Sequence, residues 1–258
     1  MTMKRRVQPH LRVGEGDVEE VAIITGNPDR VPVIAKRMRD VEEVARYRGF
    51  VTYRAYTPQG GVPVTISGTG IGTPSTHICI EELVRLGAKV IIRLGSCGGI
   101  DPSVRTGHVV VPTGCIRDER TSLNYAPVEY PAVASVRWSS ELYSAALKVL
   151  PHERVHRGIC WTSDVYYTDP DIDPLDMWTR IGVKCVEMES SLLFVFASTH
   201  GIEAASILAV DGNLHGEQKG EQEDESEQTG EQHPLLKDAV SRIIVATIET
   251  IDKIVASM

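Results

Sequence analysis

The chain has 258 residues, of which 42% are hydrophobic and 24% charged, with a formal net charge of −8 and a pI near 5.5. That composition suits a soluble globular protein of one large or two small domains, and its acidity argues against a general nucleic-acid surface, which needs a basic face. No apolar run reaches the roughly 18 residues of a membrane span, and the basic start, Met1 to His10, is not followed by the apolar segment of a secretory signal.

In chain order, Val21–Ile24 is a short apolar strand that enters the turn Thr25-Gly26-Asn27-Pro28-Asp29-Arg30. Helical spacing follows over Val31–Arg39, and Pro28 suits a first helical turn. A strand, a glycine turn and a helix start make an anion-binding geometry, to which Arg30 adds a charge; a surface arginine on a helix fits the same residues. Three strands are predicted over 41–48, 51–57 and 62–67, with Pro58-Gln59-Gly60-Gly61 as a turn. The segment Gly68-Thr69-Gly70-Ile71-Gly72-Thr73 fails the dinucleotide fingerprint, which requires glycine at Thr73, and reads as a glycine-rich loop entering a helix over 73–86.

The stretch from Val90 to Gly99 is central. Val90–Ile92 reads as a strand buried on both faces. Arg93 follows, and a buried strand does not hold an arginine without an anionic partner. Gly95-Ser96-Cys97-Gly98-Gly99 then reads as a glycine-rich turn. Two readings fit: an oxyanion pocket at the carboxyl end of a strand, where open α/β sheets place ligands, or a core strand with Arg93 in a structural ion pair.

Further strands are predicted at 107–116, 155–161, 183–186 and 204–210, and helices at 138–150, from Glu189 to about His200, and at 234–256. The segment 168–176 reads as a loop, and the Glu/Gln/Gly tract 217–232 as a mobile one. Alternating strands and helices give one α/β domain. The five cysteines (Cys79, Cys97, Cys115, Cys160, Cys185) form no Cys-x-x-Cys pair, which argues against a zinc centre or disulfide framework. They read as small apolar fillers in a reducing cytosol.

Polar residues recur at the predicted carboxyl ends of buried strands: Gly26/Arg30, Arg93/Ser96, Ser163/Asp164, Glu187/Glu189 and Asp211. Together they suggest the rim of one pocket. Each also has a plainer reading. Glu189 at a helix start complements the helix dipole. Tyr166 and Tyr167 suit a core, and Arg48 suits a solvated strand. Ser96 favours a turn, and Asp211 suits a loop cap.

Taken jointly and in order, Gly26-Asn27-Pro28-Asp29-Arg30, Ile92-Arg93-Leu94-Gly95-Ser96-Cys97-Gly98 and Val186-Glu187-Met188-Glu189 resemble three signatures of the hexameric nucleoside phosphorylases, which include purine nucleoside and uridine phosphorylases. The resemblance runs from about His10 to the final helix. It implies a single domain over residues 1–258 with a central mixed, twisted, partly barrel-like sheet flanked by helices, and a polar loop over 213–233. It further implies that Gly26, Arg30, Arg48, Arg93 and Ser96 bind phosphate, and that His10, Glu187, Met188 and Glu189 bind ribose. Tyr166, Val186 and Asp211 would meet the base. Arg48 and His10 would enter the neighbouring subunit's site, so the implied assembly is a homo-oligomer, a hexamer built as a trimer of dimers.

The implied reaction is reversible phosphorolysis of a nucleoside to free base and ribose 1-phosphate, in cytoplasmic nucleoside salvage. Its partners are the nucleoside and phosphate, with no nucleic acid and no membrane. Inorganic phosphate is a co-substrate, and no metal or organic cofactor is needed. Asp211 in Val210-Asp211-Gly212-Asn213 resembles the purine enzymes' aspartate, and Thr168–Asp173 lacks the Gln-x-Arg pair of the uridine enzymes. Both favour purines. The loop after Asp211 departs from both subgroups, so a uridine or 5′-methylthioadenosine phosphorylase stays open. A nucleosidase of the same fold would not need three arginines, and a non-catalytic nucleoside-binding protein would not need Asp211 with both glutamates. Ser96 lacks the Gly-x-Ser-x-Gly of a serine hydrolase, which requires glycine at Leu94, and no Walker loop is present.

Overall fold

Two strands set the frame. In the computed structural model, which describes residues 7–169, 171–216 and 233–257, β1 (Val21–Thr25) lies parallel to β5 (Val90–Gly99), with Val21 opposite Val90 and Ile23 opposite Ile92. Side chains alternate along a strand. Ile23, Ile92 and Leu94 therefore enter one core, and Ala22, Ile24 and Ile91 the other. The first core is closed by α1 (Arg30–Ala35), α3 (Val136–Val149) and α6 (Pro234–Val255), through Ile34, Leu142, Ile243 and Ile251. α2 (Thr73–Arg85) and α5 (Ser190–His200) close the second, through Ile80, Leu83, Leu193 and Phe196. Each fully buried side chain of this size contributes about 1.5–3 kcal/mol relative to exposure. Coverage on both faces explains why these strands read as continuous apolar runs.

The other strands are β2 (Arg39–Tyr47), β3 (Phe50–Tyr56), β4 (Pro63–Gly68), β6 (Val109–Asp118), β7 (Ala132–Val133), β8 (Val155–Ser163), β9 (Cys185–Glu187) and β10 (Glu203–Asn213), and α4 spans Leu175–Arg180. The sheet order is β10-β6-β8-β9-β5-β1-β4-β3-β2, and β10 also pairs with β5. That extra pairing closes β5, β10, β6, β8 and β9 into a ring, the barrel-like part of the single domain. From the ring, β1, β4, β3 and β2 extend as an open sheet with parallel and antiparallel pairs. Cys97, Cys115, Cys160 and Cys185 pack with Val110, Leu208 and Val210 in one apolar cluster formed by the ring strands. All five cysteines are free thiols, in the filler role expected of them.

Several expectations are corrected. Gly95–Gly99 is not a turn: β5 continues to Gly99, paired with β10 on one side and β9 on the other. Ring closure supplies partners on both edges, so the glycines stay extended. β10 likewise runs past Val210 to Asn213, and Asp211 lies inside the strand rather than after it. α1 ends at Ala35, and β2 already begins at Arg39. Within the segment read as the loop 168–176, α4 begins at Leu175. The tract 217–232, read as mobile within a loop over 213–233, lies outside the described residues.

Candidate active site

Period-two alternation puts Arg93 on the same face as Ile91, beneath α5. α5 is apolar on almost every side, with Leu192 to Ala197 all buried, so it belongs inside the fold rather than on its surface. Its first turn meets the end of β9, and the chain there reads Glu187-Met188-Glu189. Arg93 Nε donates to Glu187 Oε2 at 2.9 Å, and Nη2 meets Glu189 Oε2 at 2.5 Å. Arg93 is 5% exposed at its side chain, and the two carboxylates 1% and 4%. Burial opposes the Arg93 charge, and the two carboxylates outweigh it, so its pKa stands above the ordinary value. Burial raises Glu189 against the pull of Arg93.

The two glutamates are held differently. Glu187 accepts from Thr162 Oγ1 at 2.6 Å, from the backbone N–H groups of Glu189 and Ser190, and from Ser190 Oγ at 3.0 Å. Its carboxylate therefore caps α5, satisfying N–H groups that a helix start leaves unpaired. Glu189 occupies the cap position without capping. One of its oxygens meets Arg93, and the other accepts the Gly72 N–H at 2.7 Å. Gly72 has φ +88°, a conformation open to glycine that turns this N–H back toward α5.

Arg93 folds over Gly95: a Cβ there would lie 2.8 Å from Arg93 Cζ. The third guanidinium nitrogen, Nη1, is directed at Gly26, where a Cβ would sit 3.8 Å from Nη1 and 3.7 Å from Glu189 Oε1. The β1 turn thus reaches the same cluster. Arg30 is buried, and its pKa is lowered by that burial and by the like charge of Arg93, while Asp211 opposes the fall. Arg30, Arg93 and Asp211 therefore share one electrostatic environment. Asp211 is the extra residue of a β-bulge: Val210 pairs with Cys97 and Gly212 with Gly98, leaving Asp211 between them. A bulge re-aims a side chain out of the strand's alternation. Burial raises the Asp211 pKa to about 6, against the pull of Arg30.

Gly26, Arg30, Arg93, Glu187, Glu189 and Asp211 are thus brought together. Ser96, Val186 and Met188 flank the cluster along β5, β9 and the β9–α5 link, each half-buried; Val186 packs against Gly98. Three predicted residues make other contacts. Tyr166 is 75% exposed, edge-on to Tyr167 with ring centroids 4.9 Å apart, which rules out a core aromatic. Arg48 sits at the exposed tip of the β2–β3 hairpin with φ +52°, its guanidinium 5.6 Å from the Tyr47 ring centroid. His10 is bonded to Glu82 on α2. The sequence reading missed Thr162 and Gly72, which hold the two glutamates. Gly72 stood in a segment already noted for glycine, but Thr162 carried no local signal. Ser163/Asp164 proves to be an anchor: Asp164 accepts from Thr73 Oγ1 at 3.0 Å and from the Arg120 N–H at 3.1 Å.

A cationic pair beside a raised aspartate and a helix-start glutamate is a combination that can hold an oxyanion next to a polyol. The family model described as "Phosphorylase superfamily" matches residues 20–249. The chain belongs to the phosphorylase superfamily. Among superfamily relatives, it is 41% identical over 213 residues to a guanosine phosphorylase of Halorubrum lacusprofundi, covering 82% of this chain and 86% of that one. It is 34% identical over 216 residues to the uridine phosphorylase of Escherichia coli, covering 78% and 84%. Its fold superposes on purine nucleoside phosphorylase of Toxoplasma gondii in complex with immucillin-H with a TM-score of 0.85 at 28% identity, each chain fully covered. A uridine phosphorylase of Vibrio fischeri gives the same TM-score at 30% identity, covering 97% and 99%. The superfamily fold expected from the three sequence signatures is the fold found.

Proposed function

We propose that the chain is a nucleoside phosphorylase that cleaves purine nucleosides with inorganic phosphate. The observation that carries this reading is Arg93 held by Glu187 and Glu189 at the start of α5, with Arg30 feeling the charges of both Arg93 and Asp211. Phosphate binds between Arg30 and Arg93 Nη1, with the Gly26 N–H and Ser96 Oγ as further donors and Arg48 of the partner subunit closing the site. From there it attacks C1′. Cleavage puts positive charge on the ribose ring, which the anion beneath it stabilises, so the arginines act by positioning and electrostatics. Glu189 holds the ribose 2′- and 3′-hydroxyls, and Met188 packs against the sugar. Glu187, already committed to protein donors, holds Arg93 and α5 in place. Negative charge develops on the leaving base. Asp211 in its protonated form relieves it at the purine N7 as a general acid, and Tyr166 and Val186 border the base.

Asp211 and the absence of a Gln-x-Arg pair in Thr168–Asp173 favour purines, as does the similarity to a guanosine phosphorylase. Uridine phosphorylase is the second reading, supported by the relatives of that name. With Arg48 at the exposed tip of a hairpin and His10 tied to α2, both are assigned to a neighbouring protomer's site, so the proposed smallest active unit is a dimer, assembled into a hexamer and acting in the cytoplasm. The test is a panel of inosine, guanosine, adenosine, uridine and 5′-methylthioadenosine, each with and without inorganic phosphate. Phosphate-dependent release of ribose 1-phosphate, fastest with inosine or guanosine, is expected. Equal turnover without phosphate would make the chain a nucleosidase, and faster turnover of uridine would reverse the assignment of Asp211.

A further inference from the structure

Past Asp211, the chain is held more firmly than an exposed strand end requires. Asn213 Nδ2 donates to the carbonyl oxygens of Asp101 at 2.9 Å and Val104 at 2.8 Å. The Leu214 N–H donates to Gly99 O at 2.9 Å, and the His215 N–H to Asn213 Oδ1 at 2.9 Å. His215 Nε2 lies 2.6 Å from Thr179 Oγ1 on α4. The Thr179 hydroxyl gives its one proton to Leu175 O at 2.8 Å, so His215 is the donor of that pair and carries its proton on Nε2. Three consecutive residues are thus tied to β5, to the loop after it and to α4. The middle one is Leu214, which stays 49% exposed. A single exposed leucine means little by itself; what it faces decides its role.

On β5, Ser96 and Gly98 are half-buried while Cys97 and Gly99 are buried. Period-two alternation therefore turns positions 96 and 98 toward one open face, the face of the proposed phosphate donor Ser96. Gly98 pairs with Val186 on one side and with Gly212 on the other. Its neighbours cover the space that its own side chain lacks: a Cβ there would lie 3.4 Å from Val186 Cγ1 and 3.5 Å from Leu214 Cδ2. Two aliphatic groups from different strands flank one bare backbone position, and Asp211 stands in the bulge immediately before Gly212. An apolar wall beside a single carboxyl suits a flat ring with a polar edge. We infer that Leu214 is a base-binding residue: with Val186 it forms the wall over Gly98 against which the face of the purine packs, and Thr179 is a positioning residue that holds this wall through His215. The inference rests on the proposed phosphorolysis of purine nucleosides. The wall meets the base alone, so it strengthens binding of nucleoside and free base alike and leaves the phosphate contacts untouched.

The experiment measures phosphorolysis of inosine, and its inhibition by hypoxanthine, in the full-length wild type, Leu214→Ala, Thr179→Val and Thr179→Ser. Leu214→Ala should raise the KM for inosine and the Ki for hypoxanthine together, by about tenfold, the low end for an apolar group missing from a pocket. The wall touches ground state and transition state alike, so kcat and the KM for phosphate should stay within about twofold. Thr179→Val removes the acceptor of His215 at nearly constant volume. It should raise the same two constants by about two- to tenfold, the range of one neutral hydrogen bond, and Thr179→Ser, which keeps the hydroxyl, should restore them. A merely structural Thr179 would instead lower the amount of active enzyme and leave both constants alone. A Leu214→Ala variant with the wild-type Ki for hypoxanthine, or one that loses phosphate affinity equally, overturns the inference while the proposed function stands. A Thr179→Val variant with unchanged constants overturns the positioning role. A wild type that does not cleave inosine with phosphate overturns the proposed function and the inference with it.

Discussion

Replacing Arg93 by methionine tests whether the buried cation organises the site. Arg93 meets Glu187 and Glu189 at 2.9 Å and 2.5 Å, with all three side chains almost free of solvent. Methionine fills similar volume but leaves two carboxylates facing each other in the protein interior. Removing one partner of such a group costs about 3–5 kcal/mol. For a chain of this size about 2–4 °C accompanies each kcal/mol, so the melting temperature should fall by about 6–20 °C. The pH dependence gives a sharper sign. Burial already holds Glu189 above its ordinary value with Arg93 present, and the variant raises it further. A carboxylate raised in the folded state favours folding below its unfolded pKa, and that contribution is lost as pH rises through the folded value. The deficit against wild type should therefore be smallest near pH 5 and grow toward pH 8. Thermal melts followed by circular dichroism at both pH values measure it. A variant that melts within about 2 °C of wild type at pH 8, or whose deficit is larger in acid, would refute the reasoning.

Four other outcomes are expected. Asp211→Asn should lower purine turnover by about 100- to 10,000-fold, the usual range for a lost general acid, with phosphate affinity retained; equal losses in both would make Asp211 structural. In the wild type, kcat/KM should fall as pH rises through about 6, where Asp211 loses its proton, and a flat pH–rate profile would remove the acid role. Gly95→Ala places a Cβ 2.8 Å from Arg93 Cζ. It should displace the guanidinium and raise the KM for phosphate by about tenfold, at an overpacking cost of about 1–3 kcal/mol; an unchanged KM would mean that Arg93 Nη1 is not a phosphate donor. Burial pushes the Cys79 thiol up to about 12 and the Cys115, Cys160 and Cys185 thiols well above their ordinary value. An aromatic disulfide reagent should therefore find no fast-reacting thiol until denaturant is added, and a rapid native reaction would contradict the packing of these cysteines.

Much of the fold was legible because its strands obey local rules. Val21–Ile24 and Val90–Ile92 are apolar runs, each leading toward glycine, and both are buried on two faces. What failed locally was decided by distant partners. Glycine at 95, 98 and 99 signals a turn unless something pairs with it, and the partners that keep β5 extended, Leu208 to Asn213 and Val186, lie about 90 residues or more further along the chain. The same pairing lengthens β10 and creates the bulge at Asp211. α4 and β7 were missed because six and two residues are too few to express a period.

The candidate site was legible to the extent that buried charge must be compensated. An arginine placed after three apolar strand residues requires an anionic partner, and the pocket reading and the ion-pair reading of Arg93 looked like rivals. The geometry makes them one arrangement. Nε and Nη2 are held by Glu187 and Glu189, and only Nη1 faces Gly26. An arginine free to move would lose side-chain entropy on closing round phosphate; this one is already ordered by its carboxylates before any anion arrives. The same carboxylates lower the positive potential at the pocket. Arg30, whose own charge is disfavoured by burial and by Arg93, then becomes the group that gains most when an anion binds, since the anion relieves both penalties. Removing Arg30 should therefore weaken phosphate binding while leaving Arg93 and its carboxylates in place, and phosphate titrations of Arg30→Ala beside an unchanged melting temperature would separate binding from scaffold in one variant.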